Sequence, residues 1–152
     1  MHTPGHTTDH MAFVLEEEDA MFTGDNVLGH GTAVFEDLAT YLHSLELMGT
    51  KVEGRAYPGH GDVIEDGKAK IKEYISHRKQ REGQVLEVLG QAKGEQGKMS
   101  SMEIVKVIYK DYPENLHLPA EMGVVQVLRK LEKDARVEEV EGRWRVAGSA
   151  NL

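Results

Sequence analysis

Cysteine is absent from the 152 residues. That removes disulfides, thiolate metal sites and cysteine nucleophiles together. Cations are scarce: 18 Lys and Arg stand against 26 Asp and Glu, for a formal net charge of -8. A phosphate backbone is gripped by a positive field, so long duplexes are disfavoured as partners, although a local basic patch stays open. No apolar run approaches the roughly 20 residues that cross a bilayer, so no membrane partner is expected. The start, Met1-His2-Thr3-Pro4-Gly5-His6, has neither the basic nor the apolar region of a signal peptide. A soluble, cytoplasmic protein is the expectation. Hydrophobic residues at 39% and charged residues at 29% suffice for a buried core. The length suits one ordinary domain or two small ones.

Histidine is concentrated early, with five of the eight within the first 43 residues, among glycines and short polar residues. Such neighbours suggest loops carrying ligands at strand ends. The pattern predicts strands at 11–15 and 20–23, joined as a hairpin by the polar turn 16–19. A glycine-punctuated loop follows at 24–32, then a helix over 34–48 with Leu38, Tyr41, Leu42, Leu45 and Met48 on one stripe. A short strand at 54–57 leads into a loop and a long helix over 68–91, with Ile71, Tyr74, Ile75, Val85, Leu86 and Leu89 apolar. Its middle, His77-Arg78-Lys79-Gln80-Arg81, is basic. The flexible break 94–100 marks a boundary, giving domains 1–93 and 94–152. Beyond it the pattern predicts helices at 101–111 and 119–134, the latter with Met122, Val125, Leu128 and Leu131 on one face. A closing hairpin runs through 137–146 around Glu141-Gly142, with Trp144 packed on the helices. Helices followed by a hairpin suggest a winged helix.

Three short motifs can carry chemistry: His2-Thr3-Pro4-Gly5-His6-Thr7, Thr23-Gly24-Asp25-Asn26 and Tyr57-Pro58-Gly59-His60-Gly61. Each puts one possible metal ligand in a glycine-containing turn beside a strand, where small neighbours allow close approach. Two imidazoles and a carboxylate suit zinc, with iron or manganese as alternatives. Singly, each motif reads more readily as a polar turn; the signal lies in the three together.

In this order the motifs resemble the second half of a metallo-beta-lactamase-fold hydrolase. The resemblance implies an α/β fold, the later half of an αββα sandwich of two sheets between helices, followed by a small winged-helix-like domain. It implies that His6 ligates a first metal, Asp25 bridges two metals at the catalytic centre, and His60 ligates the second. The metals would be zinc, or manganese, polarising a carbonyl or phosphoryl oxygen and supplying hydroxide at neutral pH. His2 would be structural or support a ligand. The strings 16–32 and 74–78 resemble two branches. One is the fungal thioesterases that release aromatic polyketides from the acyl carrier protein of a non-reducing polyketide synthase, in secondary metabolism. The other is the beta-lactamase-like protein 2 endoribonucleases, which act on single-stranded RNA and would allow a mitochondrial matrix location.

One departure stands out. The family's His-x-His-x-Asp-His motif is absent, and no His-x-His occurs anywhere in the sequence. The resemblance places it before residue 1. Three ligands are then shared between two metal positions, which leaves open a non-catalytic remnant acting as a binding or dimerising module. Asp9 and His10 either orient His6 or finish a loop. His30 either lines the substrate entrance or is solvated. The basic run either holds a phosphate of RNA or of a phosphopantetheine arm, or is a solvated helix face. In the helix 119–134, Arg129, Lys130 and Lys133 are balanced by Glu121, Glu132 and Asp134. That argues against a DNA reader and for covering or homodimer packing. A thioesterase acting on a carrier protein or small acyl substrate is the expected function, with single-strand endoribonuclease as the alternative.

Overall fold

The polar run Glu16–Glu18 cannot continue an apolar strand, and it closes instead into a single 3-10 turn ended by Asp19 in the left-handed conformation. This turn joins β1 (Phe13–Leu15) to β2 (Ala20–Gly24), which pair antiparallel as expected, Phe13 opposite Phe22 and Leu15 opposite Ala20. The computed structural model describes residues 1–92 and 97–148. Contacts divide the chain into two units, Met1–Arg78 and Lys79–Leu152. The expected boundary between 93 and 94 lies outside the described residues.

In the first unit, α1 (Leu38–Gly49) connects β2 to a parallel third strand, β3 (Ala56–Pro58). A parallel pair needs such a crossover, which delivers the C-terminal ends of β2 and β3 to the same edge. The helix begins later than residue 34. The Asp37 carboxylate accepts the Thr40 N–H at 2.9 Å, fixing the start, and Asp37 itself is extended at φ -138°. The expected stripe is otherwise the core: Leu38, Tyr41, Leu42, Leu45 and Met48 are all buried, with Met21, Val27, Val52 and Ala56. The long helix α2 (Gly67–Gly90) matches its periodicity, burying Ile71, Tyr74, Val85 and Leu89. Ile75 and Leu86, expected with them, are only half-buried. The basic run within α2 is divided. Arg78 lies over the Phe35 ring at 4.8 Å and donates to the Ala33 carbonyl at 3.2 Å, whereas Arg81 lies over Tyr109 at 4.6 Å. His77, Lys79 and Gln80 are exposed.

The second unit contains α3 (Ser101–Ile108), α4 (His117–Lys133) and the hairpin of β4 (Val137–Val140) with β5 (Arg143–Val146). A capping box between Ser100 and Glu103 starts α3, which ends short of residue 111. Helix α4 starts two residues before Pro119, since proline is tolerated in a first turn. Its buried stripe is Val124, Val127, Leu128 and Leu131, the i, i+3, i+4, i+7 set. The stripe drawn through Met122 and Val125 is therefore turned too far: Met122 is 75% exposed and Val125 half-buried. Trp144 is buried as expected, beneath the Arg129 guanidinium at 4.8 Å. The cations of α4 are spent within the unit: Arg129 on Glu132 and Glu139, Lys130 on Glu82 and Asp134. The expected mixed α/β class holds, with two small sheets and four helices among the described residues. No described helix is long and apolar enough to cross a membrane.

Candidate metal centre

The first motif is the tip of a tight loop. Its base is zipped by the Thr3 N–H to the His10 carbonyl at 2.9 Å, by Met1 and Ala12 exchanging bonds, and by a bridge between His2 and Met11. His2 is structural: its Nε2 bonds the Thr8 carbonyl across the loop at 2.9 Å. His6 projects from the tip. Its Nδ1 lies 3.0 Å from the Val34 carbonyl, which can only accept, so Nδ1 carries the proton and Nε2 keeps a free lone pair. A ring held this way has the tautomer of a metal-ligating imidazole.

Asp25 follows the last residue of β2, and His60 follows β3 by two residues, at the shared edge. A hydrogen bond from the Gly59 N–H to the Gly24 carbonyl, 2.8 Å, clips the two turns together. The three proposed ligands converge. His6 Nε2 lies 3.7 Å from Asp25 Oδ2, and His60 Nε2 lies 3.5 Å from Asp25 Oδ1. The carboxylate thus offers one oxygen to each imidazole. Oδ1 is buried and has no hydrogen-bond donor. A buried carboxylate oxygen is costly unless a cation or donor faces it.

The donor set fits a shared cation pair in part. Two ligands at about 2.0–2.1 Å from one tetrahedral zinc stand about 3.4 Å apart, close to the 3.7 and 3.5 Å found here. Each oxygen of Asp25 is matched by a single imidazole, so each of two metal positions would draw two donors from this chain. Among the described residues, no group of three or more His, Asp or Glu side chains is arranged to hold a metal ion.

The loop residues between the proposed ligands take specific places. His10 makes no hydrogen bond to His6. Its Nδ1 lies 3.0 Å from the Thr3 hydroxyl, and its Nε2 accepts the Asp25 N–H at 3.2 Å. Burial first, and then the neighbouring His6, push its pKa below the ordinary histidine value. Asp9 instead finishes the loop, accepting the Thr7 hydroxyl at 2.8 Å. That bond is the leading cause of its lowered pKa. His30 is exposed and sits against Gly61, beside the His60 turn.

Sequence reasoning missed Asn26. It is fully buried; its Oδ1 accepts the His6 N–H at 2.9 Å and its Nδ2 donates to the Thr3 carbonyl at 2.7 Å. One amide therefore stitches the His6 loop to the Asp25 turn. The Tyr41 hydroxyl donates to the Asn26 carbonyl at 2.6 Å, and burial pushes that phenol's pKa well up, keeping it a donor. A fully buried Asn must find several partners, and its place beside a candidate ligand was the available signal. Periodicity marks Tyr74 only as core. Its hydroxyl accepts the Leu28 N–H at 3.2 Å and donates to the Gly31 carbonyl at 3.1 Å, securing the loop that carries His30.

Comparison with known proteins bears on the family of the chain. Residues 1–60 match the metallo-beta-lactamase superfamily and residues 100–144 the beta-lactamase associated winged helix domain. A beta-lactamase-like protein 2 homolog of Drosophila melanogaster is 47% identical over 151 residues, covering 99% of this chain and 48% of the relative. An atrochrysone carboxyl ACP thioesterase of Aspergillus chevalieri is 43% identical over 157 residues, covering 98% and 51%. In fold, a metallo-beta-lactamase family protein of Thermus thermophilus superposes with a TM-score of 0.73 at 22% identity, covering 96% of this chain and 48% of that one. The chain spans about half the length of the curated relatives it matches. Residues 1–60 belong to the metallo-beta-lactamase superfamily, and residues 100–144 are the winged helix associated with it.

Proposed function

We propose that His6, Asp25 and His60 are the chain's donors to a two-metal hydrolytic centre that releases an acyl group from a carrier-protein thioester. The observation that carries this reading is the Asp25 carboxylate. It presents Oδ2 to His6 and Oδ1 to His60, with Oδ1 buried and unpartnered. Hard oxygen donors suit bridging, and imidazole suits zinc or manganese. When bound, the metals supply Lewis acidity toward the acyl carbonyl and activate water at neutral pH. The chain's own residues orient this chemistry. The Val34 carbonyl holds the His6 proton on Nδ1. Asn26 fixes the His6 backbone, and the Gly59–Gly24 bond keeps the His60 turn against Asp25. His30, beside Gly61, flanks the approach to His60.

The thioesterase reading is supported by the Aspergillus chevalieri relative, whose name is that of an ACP thioesterase. In this reading the product is an aromatic polyketide acid, the reaction is cytoplasmic, and the chemistry belongs to the stretch 1–93. The stretch 94–152 supplies a winged helix for covering or pairing rather than for reading DNA, since its α4 cations are ion-paired. Single-strand endoribonuclease is the second reading, favoured by the beta-lactamase-like protein 2 homolog at 47% identity. The test incubates the protein with Zn2+ or Mn2+, an aryl thioester of an acyl carrier protein, and a short single-stranded RNA. Free acid without RNA cleavage is expected. RNA cleavage without free acid moves the assignment to the ribonuclease. Neither product, with no metal retained, leaves the non-catalytic reading.

A further inference from the structure

We infer that His10 is a positioning residue that sets where Asp25 stands between the two imidazoles. The inference rests on the metal-binding reading for its consequence, but its geometry is independent of it. The Asp25 N–H donates to His10 Nε2 at 3.2 Å, so Nε2 holds a lone pair and the neutral ring carries its proton on Nδ1. That proton goes to the Thr3 hydroxyl at 3.0 Å, on a residue that is fully buried. The ring thus spans from the base of the His6 loop to the first backbone atom of Asp25. Gly24, at φ +54°, makes room for it: a Cβ there would stand 2.5 Å from His10 Nε2. Asn26 braces the other side, from Asp25's successor to the His6 N–H and the Thr3 carbonyl. Asp25 is therefore bracketed by one side-chain brace before it and one after it, both ending on Thr3. Without His10, the turn keeps the Asn26 stitch but loses the fixed direction of the Asp25 backbone. Its carboxylate then no longer divides evenly between His6 and His60.

Two substitutions separate this role from general support. In His10→Gln the side-chain oxygen reaches the place of Nε2 and can still accept the Asp25 N–H. In His10→Asn it reaches only the place of Nδ1, keeping the Thr3 contact alone. In the metal-free chain, amide exchange at Asp25 should quicken about fivefold in His10→Asn, the scale of one hydrogen bond lost, and stay near the parent rate in His10→Gln. The His6 amide, bonded to Asn26, should be unchanged in both. Nitrogen NMR of the parent should find His10 protonated at Nδ1, a readout that needs no variant to fold. Zn2+ affinity should fall about tenfold in His10→Asn and less than threefold in His10→Gln. A proton on Nε2, unchanged Asp25 exchange in His10→Asn, or equal Zn2+ affinity in all three chains overturns the inference. If the parent chain holds no Zn2+, the metal-binding reading fails, and the exchange and tautomer results alone decide whether His10 braces Asp25.

Discussion

Gly59 is set so close to the Asp25 carboxylate that a single methyl group should separate metal binding from folding. A Cβ at this position would stand 2.7 Å from Asp25 Oδ1 and 3.3 Å from the Gly24 carbonyl carbon and oxygen. Ordinary non-bonded contact begins at about 3.5 Å, so in Gly59→Ala the carboxylate must retreat by roughly 0.5–0.8 Å. Functional groups tolerate displacements of only about 0.5 Å before their chemistry suffers. The displaced atom is the buried oxygen that faces His60 Nε2 at 3.5 Å. Zn2+ affinity should drop by about tenfold to a hundredfold, the usual cost of disturbing the support of a ligand. Stability should change far less. Gly59 is not in the left-handed region, so alanine meets no backbone strain there. It should recover about 0.4–1 kcal/mol by restricting the unfolded chain, against an overpacking cost of about 1–3 kcal/mol. The net loss is then at most about 2.6 kcal/mol, which lowers Tm by no more than about 10 °C. The assay pairs a Zn2+ competition titration against a chromophoric chelator with a thermal melt of the metal-free chain. Gly83→Ala is the control, because a Cβ at Gly83 meets nothing within 4 Å. It should gain about 0.5–1 kcal/mol and leave Zn2+ affinity unchanged. If Gly59→Ala binds Zn2+ within twofold of the parent, Asp25 Oδ1 is not a metal donor, and the bridging role falls with it.

Asn26→Leu should cost about 2–4 kcal/mol in urea unfolding, because it strands the buried Thr3 carbonyl and the His6 N–H together. A cost below about 1 kcal/mol would mean that the stitch between the two loops is not formed. Asp25→Asn should abolish Zn2+ binding yet leave Tm within about 2 °C of the parent, since the Asp25 side chain accepts no hydrogen bond from its neighbours. Ser100→Ala should destabilise the second unit by about 1 kcal/mol through loss of the α3 cap, read by denaturant unfolding. The Ser100 backbone N–H, bonded to Glu103, is the leading cause holding that carboxyl below its ordinary value. Its stabilising effect is therefore fully present above the usual carboxylate range and fades as pH falls through the lowered folded value. The stability difference between the parent and Glu103→Gln should shrink in that acid window, and a difference constant with pH would contradict the cap. On α4, Leu128→Ala should cost about 2–5 kcal/mol and Met122→Glu within about 0.5 kcal/mol, separating two positions that periodicity alone places on one face.

The contrast on α4 marks where the sequence is legible. Hydrophobic spacing shows that 119–134 is a helix, but two stripes that begin two residues apart fit the same letters. One runs through Met122 and Val125, the other through Val124 and Val127, and both share Leu128 and Leu131. Packing against α3 and the hairpin selects the second within that unit, and that choice is not written in the helix itself. Helix α1 differs in kind. Its stripe was readable because no second stripe competes, whereas its start was not. Val34 and Phe35 continue the apolar pattern, and only the Asp37 cap stops it. At the site, the three candidate ligands were visible because glycine-flanked His and Asp residues are locally unusual. Their convergence depends on a parallel pairing of β2 with β3, which brings Gly24 beside Pro58 across some thirty intervening residues. No local pattern encodes that pairing. The supporting residues were the least legible, since their roles are defined by backbone atoms. His10 reads as a loop histidine until the Asp25 N–H is found on its Nε2. Asn26 reads as a turn residue until both ends of its amide are found on the other loop. A ligand is recognised by what its side chain can bind, but a brace is recognised only by what it already holds. For that reason the substitutions that discriminate most sharply here fall on His10, Asn26 and Gly59 rather than on the candidate ligands themselves.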